Sequence, residues 1–178
     1  MAAKKSKQRV EIVDAISKSL KSREIYTKLR VKDRTESELR AFMYRYLLDS
    51  LEEMYKERKP SVREATIKQN ASDALLWDGD ASTVINSLQF LGVQHRPDFE
   101  VKIEGIRIGI EVKRGKSGTD IRAGLGQAMV YSQAYDFVIY LFADTSKDKK
   151  IRESIRQTRE KAFLDSIWDN YNIRFDIV

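Results

Sequence analysis

Two neighbouring stretches of the chain alternate polar and apolar residues with a period of two, and they constrain the fold more than any other feature. They are Asp98–Ile103 and Ile106–Lys113, and Glu104-Gly105 lies between them. This pattern predicts an antiparallel hairpin with a short turn. With the turn at the centre of the hairpin, Asp98 lies directly opposite Glu111. The apolar side chains share the other face, which must pack on a core.

The remaining segments predict an α/β fold. The continuous apolar run from Phe137 to Ala143 predicts a strand covered on both faces. A helix predicted over Asp120–Tyr135 joins this strand to the hairpin as a parallel, right-handed crossover unit. The other predictions, in chain order, are a helix over Val10–Leu20 that Ile25 and Leu29 extend, a helix over Ser37–Tyr55, a short strand over Val62–Lys68, a connection over Ala71–Gly79, a helix over Ser82–Leu91, a helix over Lys147–Trp168 and a strand over Ile173–Ile177.

The charge distribution separates the start of the chain from the rest. The first 34 residues hold 11 basic and 4 acidic side chains, a net of +7, whereas the rest of the chain carries a net of −1. Such a basic arm attracts a polyanion, most commonly nucleic acid, through counterion release. The alternative is an arm that only aids solubility. We therefore divide the chain into a basic arm with its helix, residues 1–34, and a domain over residues 35–178.

Composition excludes several classes of protein. The 178 residues contain no cysteine, so a disulfide framework, a thiolate zinc site, an iron–sulfur cluster and a cysteine nucleophile are all excluded. No apolar run reaches the roughly 18 residues that a membrane span requires. The N-terminus carries charges where a signal peptide needs apolar residues. We expect a cytoplasmic protein without a membrane partner.

The predicted hairpin places chemically useful groups on its polar face. Two opposed carboxylates, Asp98 and Glu111, repel each other unless a positive charge lies between them, and their oxygens suit a hard divalent cation such as Mg²⁺. Lys113 projects from the same face, and the carbonyl of Val112 lies at its edge. This combination suits metal-assisted phosphodiester hydrolysis, in which the cation polarises the phosphate and the lysine stabilises negative charge. The alternative is an ordinary hairpin with a solvated charged face.

These residues resemble the PD-(D/E)XK nuclease superfamily. Pro97-Asp98 is followed after twelve residues by Glu111-Val112-Lys113, the E-X-K element, and then by the crossover helix. That helix contains Gln127 and Tyr131, which resemble the Q-x-x-x-Y motif of the RecB-like branch. Glu38, in a Glu-Leu-Arg context, resembles the acidic residue on the first helix of archaeal Holliday-junction resolvases. Glu36, Glu52 and Glu53 are alternatives for that role.

The resemblance implies a restriction-endonuclease-like core, which consists of a helix, three antiparallel strands, a crossover helix and a further strand. It implies Asp98, Glu111, the Val112 carbonyl and Glu38 as ligands of Mg²⁺, for which Mn²⁺ can substitute. It also implies a catalytic role for Lys113 and Gln127, and it gives Gln127 and Tyr131 as supports of the site or as DNA contacts. Because the chain is too short to carry a helicase, a helicase or repair partner would be a separate protein. The predicted DNA contacts are Tyr131, Arg114, Lys116, Lys4, Lys5, Lys7 and Arg9.

The function expected from these features is Mg²⁺-dependent DNA cleavage. Exonuclease, endonuclease and junction resolvase all remain open, and a homodimer is expected because two nicks need two active sites. One alternative is a non-catalytic DNA-binding module. Another is a restriction-type endonuclease or the nuclease subunit of a repair or transposition complex.

Overall fold

The computed structural model describes residues 5–22, 33–80, 84–148 and 150–178. The helices in these ranges are α1 (Lys7–Leu20), α2 (Glu36–Arg58), α3 (Glu64–Ala74), α4 (Gly118–Tyr131), α5 (Lys150–Ser154) and α6 (Thr158–Tyr171). The strands are β1 (Leu75–Trp77), β2 (Leu88–Phe90), β3 (Val93–His95), β4 (Phe99–Ile103), β5 (Ile106–Gly115), β6 (Phe137–Asp144) and β7 (Ile173–Ile177).

Five of the strands form one mixed sheet, with the order β1-β4-β5-β6-β7. The pairs β1–β4 and β4–β5 are antiparallel, whereas β5–β6 and β6–β7 are parallel. The parallel pairs need crossover connections, and helices provide them. Helix α4 connects β5 to β6, and α5 and α6 connect β6 to β7. The short strands β2 and β3 form a separate antiparallel hairpin. The chain is therefore a mixed α/β protein.

The predicted register of the central hairpin is confirmed. Ile103 pairs with Ile106, and Phe99 pairs with Ile110. The turn residues Glu104 and Gly105 have φ angles of 50° and 75°. Positive φ at both positions is typical of the two-residue turn that best fits the twist of a hairpin. This turn fixes the register at the distant end of the two strands.

One face of the sheet packs against α1, α2 and α3. The buried residues of α2 include Leu39, Met43, Leu47 and Leu51, which recur every four residues and form one helical stripe. Met43, Leu47 and Leu51 join the apolar side chains of β4 and β5 in the larger core, whereas Leu39 packs with Ala143 of β6. Helix α1 belongs to the same core, since Ile12, Val13, Ile16 and Leu20 are almost completely buried.

The opposite face packs against α4 and α6. Strand β6 lies between the two layers, and all eight of its residues are buried, as the apolar run predicts. Val138, Tyr140 and Phe142 point into the second core with Ile167 of α6. Helix α4 approaches the sheet closely at Gly124, where an added Cβ would lie 2.4 Å from the Tyr140 ring. The sequence therefore needs a glycine at this contact.

Two predictions before the hairpin are wrong. Val62–Lys68 is not a strand, because Ile67, Ala71 and Ala74 continue at helical spacing and are the buried residues of α3. The first strand of the sheet is β1, in the segment predicted as a connection. Ser82–Leu91 is not a helix: residues 81–83 lie outside the described residues, and Leu88–Phe90 forms β2. Within the described part of the segment between the first two strands of the sheet, residues 88–95 form a small β-hairpin.

Helix boundaries also differ from the predictions. The single helix predicted over Lys147–Trp168 is two helices, α5 and α6, separated by residues 155–157. No glycine or proline marks this break. Helix α4 ends at Tyr131 and not at Tyr135. Residues Ile25 and Leu29, predicted to extend the first helix, lie outside the described residues.

The predicted basic arm is only partly separate from the domain. Helix α1 starts at Lys7, earlier than predicted, and its apolar face is part of the main core. Residues 7–20 therefore fold with the rest of the chain and not as an appendage. Across the described ranges, every helix is too short or too polar to cross a membrane.

Candidate active site

The candidate site is built on the end of the central hairpin that lies farthest from its turn. Asp98 immediately precedes β4, and Glu111 and Lys113 lie near the end of β5. Because side chains alternate along a strand, all three project from the face opposite the apolar core. Glu111 is 2% exposed and Asp98 5% exposed. The alternative of a solvated charged face is therefore wrong for these two carboxylates.

Asp98 is held from two sides. Its Oδ2 accepts a hydrogen bond of 2.8 Å from the Val112 backbone N–H, and its Oδ1 accepts a short one from Arg40 of α2. Burial raises the pKa of Asp98, although these two hydrogen bonds oppose the effect. Burial of a carboxylate is costly unless such partners are present. Arg40 is thus a member of the site that the sequence analysis missed.

Glu111 lies in a less favourable electrostatic position. Its Oε1 is 3.0 Å from the Lys113 Nζ. Burial and the negative charge of Asp98 nevertheless raise the pKa of Glu111 to about 7. Burial by itself would lower the pKa of Lys113, but Glu111 and Glu36 raise it above the usual lysine value. Lys113 is therefore a cation at neutral pH.

The first-helix acid at this site is Glu36 and not Glu38. Glu36 Oε1 lies 3.7 Å from the Lys113 Nζ, and its Oε2 accepts a 3.2 Å hydrogen bond from the Arg114 N–H. The Glu38 carboxylate instead accepts from the Thr35 N–H at 2.8 Å and completes a capping box. The prediction of Glu38 as a metal ligand is corrected for this reason. The sequence signal was Thr35-x-x-Glu38, which is the pattern of that cap.

Tyr131 supports the carboxylate pair from the crossover helix. Its side chain is fully buried, and its hydroxyl donates a 2.7 Å hydrogen bond to the Arg96 carbonyl. Burial and the nearby Glu111 charge raise the pKa of Tyr131. Since the ring does not reach solvent, the predicted DNA contact is corrected to a supporting role. Gln127 is half-buried one turn earlier on α4, and its side chain makes no hydrogen bond within the described part of the chain.

The next carboxylate on the polar face, Glu100, forms ion pairs within the hairpin. Glu100 is 1% exposed and contacts Arg107 at 3.1 Å, Lys102 at 3.3 Å and the Tyr135 hydroxyl at 2.9 Å. It therefore reduces the repulsion between the two cations, Lys102 and Arg107, that pair across the hairpin. The polar face contains two kinds of buried carboxylate. Glu100 has partners of opposite charge, whereas Asp98 and Glu111 also face each other.

The predicted DNA contacts divide between two ends of the sheet. Arg114 lies in β5 next to Lys113, and Lys116 comes just after the strand, so both are at the carboxyl end of β5. Lys5, Lys7 and Arg9 lie at the opposite end, and Lys4 is outside the described residues. The Lys5 Nζ contacts the Trp168 carbonyl at 2.5 Å, Lys7 pairs with Glu11 at 4.0 Å and Arg9 pairs with Asp136 at 3.9 Å.

The distance between these two ends decides what the arm can reach. Gln8 donates a 2.9 Å hydrogen bond to the Glu104 carboxylate, so α1 starts beside the hairpin turn. From the start of β5 to Glu111 the strand advances by about 17 Å. The structure therefore does not bring residues 5–9 together with the carboxylates. A DNA contact by this segment would therefore lie away from the two carboxylates.

The donor groups of the site fit a magnesium ion. Asp98 and Glu111 supply carboxylate oxygens. The N–H and the C=O of a strand residue point to the same side of the strand. Because the Val112 N–H points to Asp98, the Val112 carbonyl lies on that side too. Mg²⁺ commonly uses one or two carboxylates and keeps several waters. Within the described ranges, no three acidic, histidine or cysteine side chains form a group that could hold a metal ion. Any ion held here would have two side-chain carboxylates and one backbone carbonyl as its ligands from the described residues.

No protein-family model, curated protein or solved structure matches the chain. The motif resemblance therefore remains a prediction.

Proposed function

We propose that the chain is a Mg²⁺-dependent DNA nuclease of the PD-(D/E)XK type. One observation carries the proposal: two carboxylates, Asp98 and Glu111, are buried next to each other although their charges repel. A fold gains nothing in stability from this arrangement, since burial and like charge both disfavour ionisation. Perturbed carboxylates of this kind concentrate at functional sites.

The order of elements supports the same proposal. Helix α2 precedes three antiparallel strands, β1, β4 and β5, and these are followed by α4 and the parallel strand β6. The restriction-endonuclease-like core has this order of elements. In such a core the motif residues would correspond to Asp98, just before the second of these strands, and to Glu111 and Lys113 on the third.

Asp98, Glu111 and the Val112 carbonyl would hold the metal ion. When bound, Mg²⁺ would supply a Lewis acid for the scissile phosphate and the attacking water. Hydrolysis forms a P–O bond to water and breaks the P–O bond to the leaving sugar oxygen, so negative charge grows on the phosphate. Lys113 is a cation and therefore stabilises this charge as a hydrogen-bond donor and does not act as a base.

The surrounding residues keep the pair in position. Arg40 and the Val112 N–H orient Asp98, and Glu36 shares the Lys113 ammonium with Glu111. Tyr131 closes the site from the side of α4. The chain's own residues thus bind the cation, orient the lysine and exclude water from behind the carboxylates.

Cleavage of a labelled four-way junction and of its matched linear duplex tests the proposal. We expect cleavage with Mg²⁺ or Mn²⁺, none with a chelator and none by Glu111→Ala. Paired nicks confined to the junction would identify a resolvase, and cutting of the linear duplex would identify an end-processing or general nuclease. Tight binding without cleavage under every condition would contradict the proposal and favour the non-catalytic module.

A further inference from the structure

A polar groove lies at the carboxyl ends of β5 and β6, beside the candidate active site. It runs between residues 114–116 and 145–147 and has a volume of about 630 Å³. Its two sides are joined by the Thr145 N–H, which donates a 2.8 Å hydrogen bond to the Gly115 carbonyl. We call it the strand-end groove. None of the motif residues Asp98, Glu111 or Lys113 lines it.

The strand-end groove contains a buried polar group without a partner. Ser146 lines the groove and is 8% exposed, and its Oγ has no hydrogen-bond partner. The Ser146 N–H is fixed by a 2.8 Å hydrogen bond to Asp144 Oδ1, whereas Asp144 Oδ2 also has no partner. Buried polar atoms in folded proteins are nearly always satisfied. The loop therefore has the features of a site that a ligand completes.

The charges around the groove indicate an anionic ligand. Lys116 and Lys147 are exposed on its two sides. The N-terminus of α4 begins at its edge, and a helix N-terminus favours anions. Asp120 is the acidic residue on the lining, but its carboxylate accepts from the Lys116 and Ser117 N–H groups at 3.0 Å and caps the helix. The two lysines remain for a ligand. The Ser146 Oγ is itself buried beside the Asp144 carboxylate, so a change of rotamer must bring it to the ligand.

We propose that the strand-end groove binds a backbone phosphate of the DNA strand, at a fixed distance from the bond that is cut. This inference rests on the proposed nuclease function. Arg114 follows Glu111 by three strand positions, which is about 10 Å. The bound phosphate therefore lies one to a few nucleotides from the scissile one. The Ser146 hydroxyl donates a hydrogen bond to this phosphate, and Lys116 and Lys147 neutralise the charge of the phosphate.

Titration of the full chain with inorganic phosphate, followed by amide NMR, tests the anion site without reference to cleavage. We expect saturable shifts of the Lys116, Ser146 and Lys147 amides. Ser146→Ala should weaken phosphate binding about tenfold, because a hydrogen bond to a charged group is lost. Lys68→Ala, at an exposed lysine of α3, should bind as the wild type does. Unsaturable shifts, or equal affinity in the wild type and Ser146→Ala, would overturn the site.

Duplex DNA binding in the presence of a chelator tests the source of the phosphate. If the two lysines neutralise one backbone phosphate, Lys116→Ala/Lys147→Ala should reduce the slope of log K against log salt by about 0.9, with Lys68→Ala unchanged. An unchanged slope in the double variant would exclude a DNA phosphate. Normal cleavage together with an unchanged slope would refute the DNA phosphate contact in the strand-end groove and leave the proposed nuclease function standing. Phosphate binding without any DNA cleavage would support the anion site and refute the proposed nuclease function.

Discussion

The carboxyl of Glu111 is buried beside a second carboxylate, and both features disfavour its charged form. Its ordinary pKa of 4.5 rises to about 7 in the folded chain. Between pH 4.5 and 7, the folded state therefore still holds a proton on Glu111 that the unfolded state has already released. The contribution of Glu111 to the free energy of unfolding is constant below pH 4.5, falls as the pH rises towards 7 and stays at the lower value above it.

This linkage predicts the behaviour of Glu111→Gln. The wild type should lose up to about 3 kcal/mol of unfolding free energy between pH 4.5 and 8 relative to the variant, since a tenfold change in proton affinity corresponds to about 1.4 kcal/mol. Urea denaturation of both proteins at pH 5 and pH 8 measures this difference. Mg²⁺ should stabilise the wild type at pH 8 but not the variant. Stability curves that run parallel over this pH range would contradict the account.

Two glutamates in the first turn of α2 provide a matched comparison. Glu36 faces Lys113, whereas Glu38 caps the helix. Glu36→Gln should reduce the cleavage rate at least tenfold, because one carboxylate that orients the lysine is lost. Glu38→Gln should leave the rate unchanged, since glutamine also completes a capping box. The comparison uses initial rates at saturating Mg²⁺, and a larger loss with Glu38→Gln would return the role to that residue.

At the scale of elements, the contact between α4 and the sheet sets the position of Tyr131. Two glycines of this helix differ in what a side chain would meet. An added Cβ at Gly124 would lie within 2.5 Å of the Tyr140 ring, whereas nothing lies within 4 Å of one at Gly126. The two positions therefore separate the effect of close packing from the effect of helix propensity.

Gly124→Ala should destabilise the protein by about 1–3 kcal/mol, because α4 must move away from β6. Gly126→Ala should instead stabilise it by up to about 1 kcal/mol through helix propensity. Thermal or urea unfolding of both variants measures the two effects. Equal changes at the two positions would show that α4 does not pack against the sheet as described.

The elements also show where sequence patterns suffice. The hairpin of β4 and β5 was predictable because its residues pair locally across Glu104-Gly105, and that register placed Asp98 beside Glu111. Strand β6 was predictable because an all-apolar run must be buried on both faces. Helix α3 was mistaken for a strand, since Ile67 alone suggested no period. Its helical spacing becomes visible only with Ala71 and Ala74.

The candidate site was predictable to the same extent. Asp98, Glu111 and Lys113 lie on one hairpin, so local periodicity brings them together. Arg40 and Glu36 come from α2, which packs on the sheet through contacts that no local pattern specifies. The i, i+4 spacing of these two residues put them on one helix face but did not show which strand that face meets.

At the scale of the whole molecule, α1 is part of the core and not a removable arm. Val13 and Ile16 are completely buried against α2 and the sheet. Deletion of residues 1–34 would therefore unfold the domain, and its effect on DNA binding would carry no information about charge.

Val13→Ala should lower the free energy of unfolding by about 1–3 kcal/mol, and Ile16→Ala by about 2–5 kcal/mol. Urea denaturation of each variant measures the loss. Lys7→Ala, at an exposed position on the same helix, should change stability by less than about 0.5 kcal/mol. Wild-type stability in Ile16→Ala would show that α1 is dispensable to the fold.

Single-turnover cleavage of a DNA substrate in Mg²⁺, compared between two matched lysine variants, tests the central claim most directly. Lys113 and Lys102 lie on the same face of the hairpin and each contacts a buried glutamate, but only Lys113 lies beside the Asp98–Glu111 pair. The account predicts that Lys113→Met lowers the cleavage rate at least a hundredfold while the protein still binds DNA, because charge stabilisation in the transition state is lost. It predicts that Lys102→Met cleaves at the wild-type rate. Equal rates in both variants, or no cleavage by the wild type itself, would contradict it.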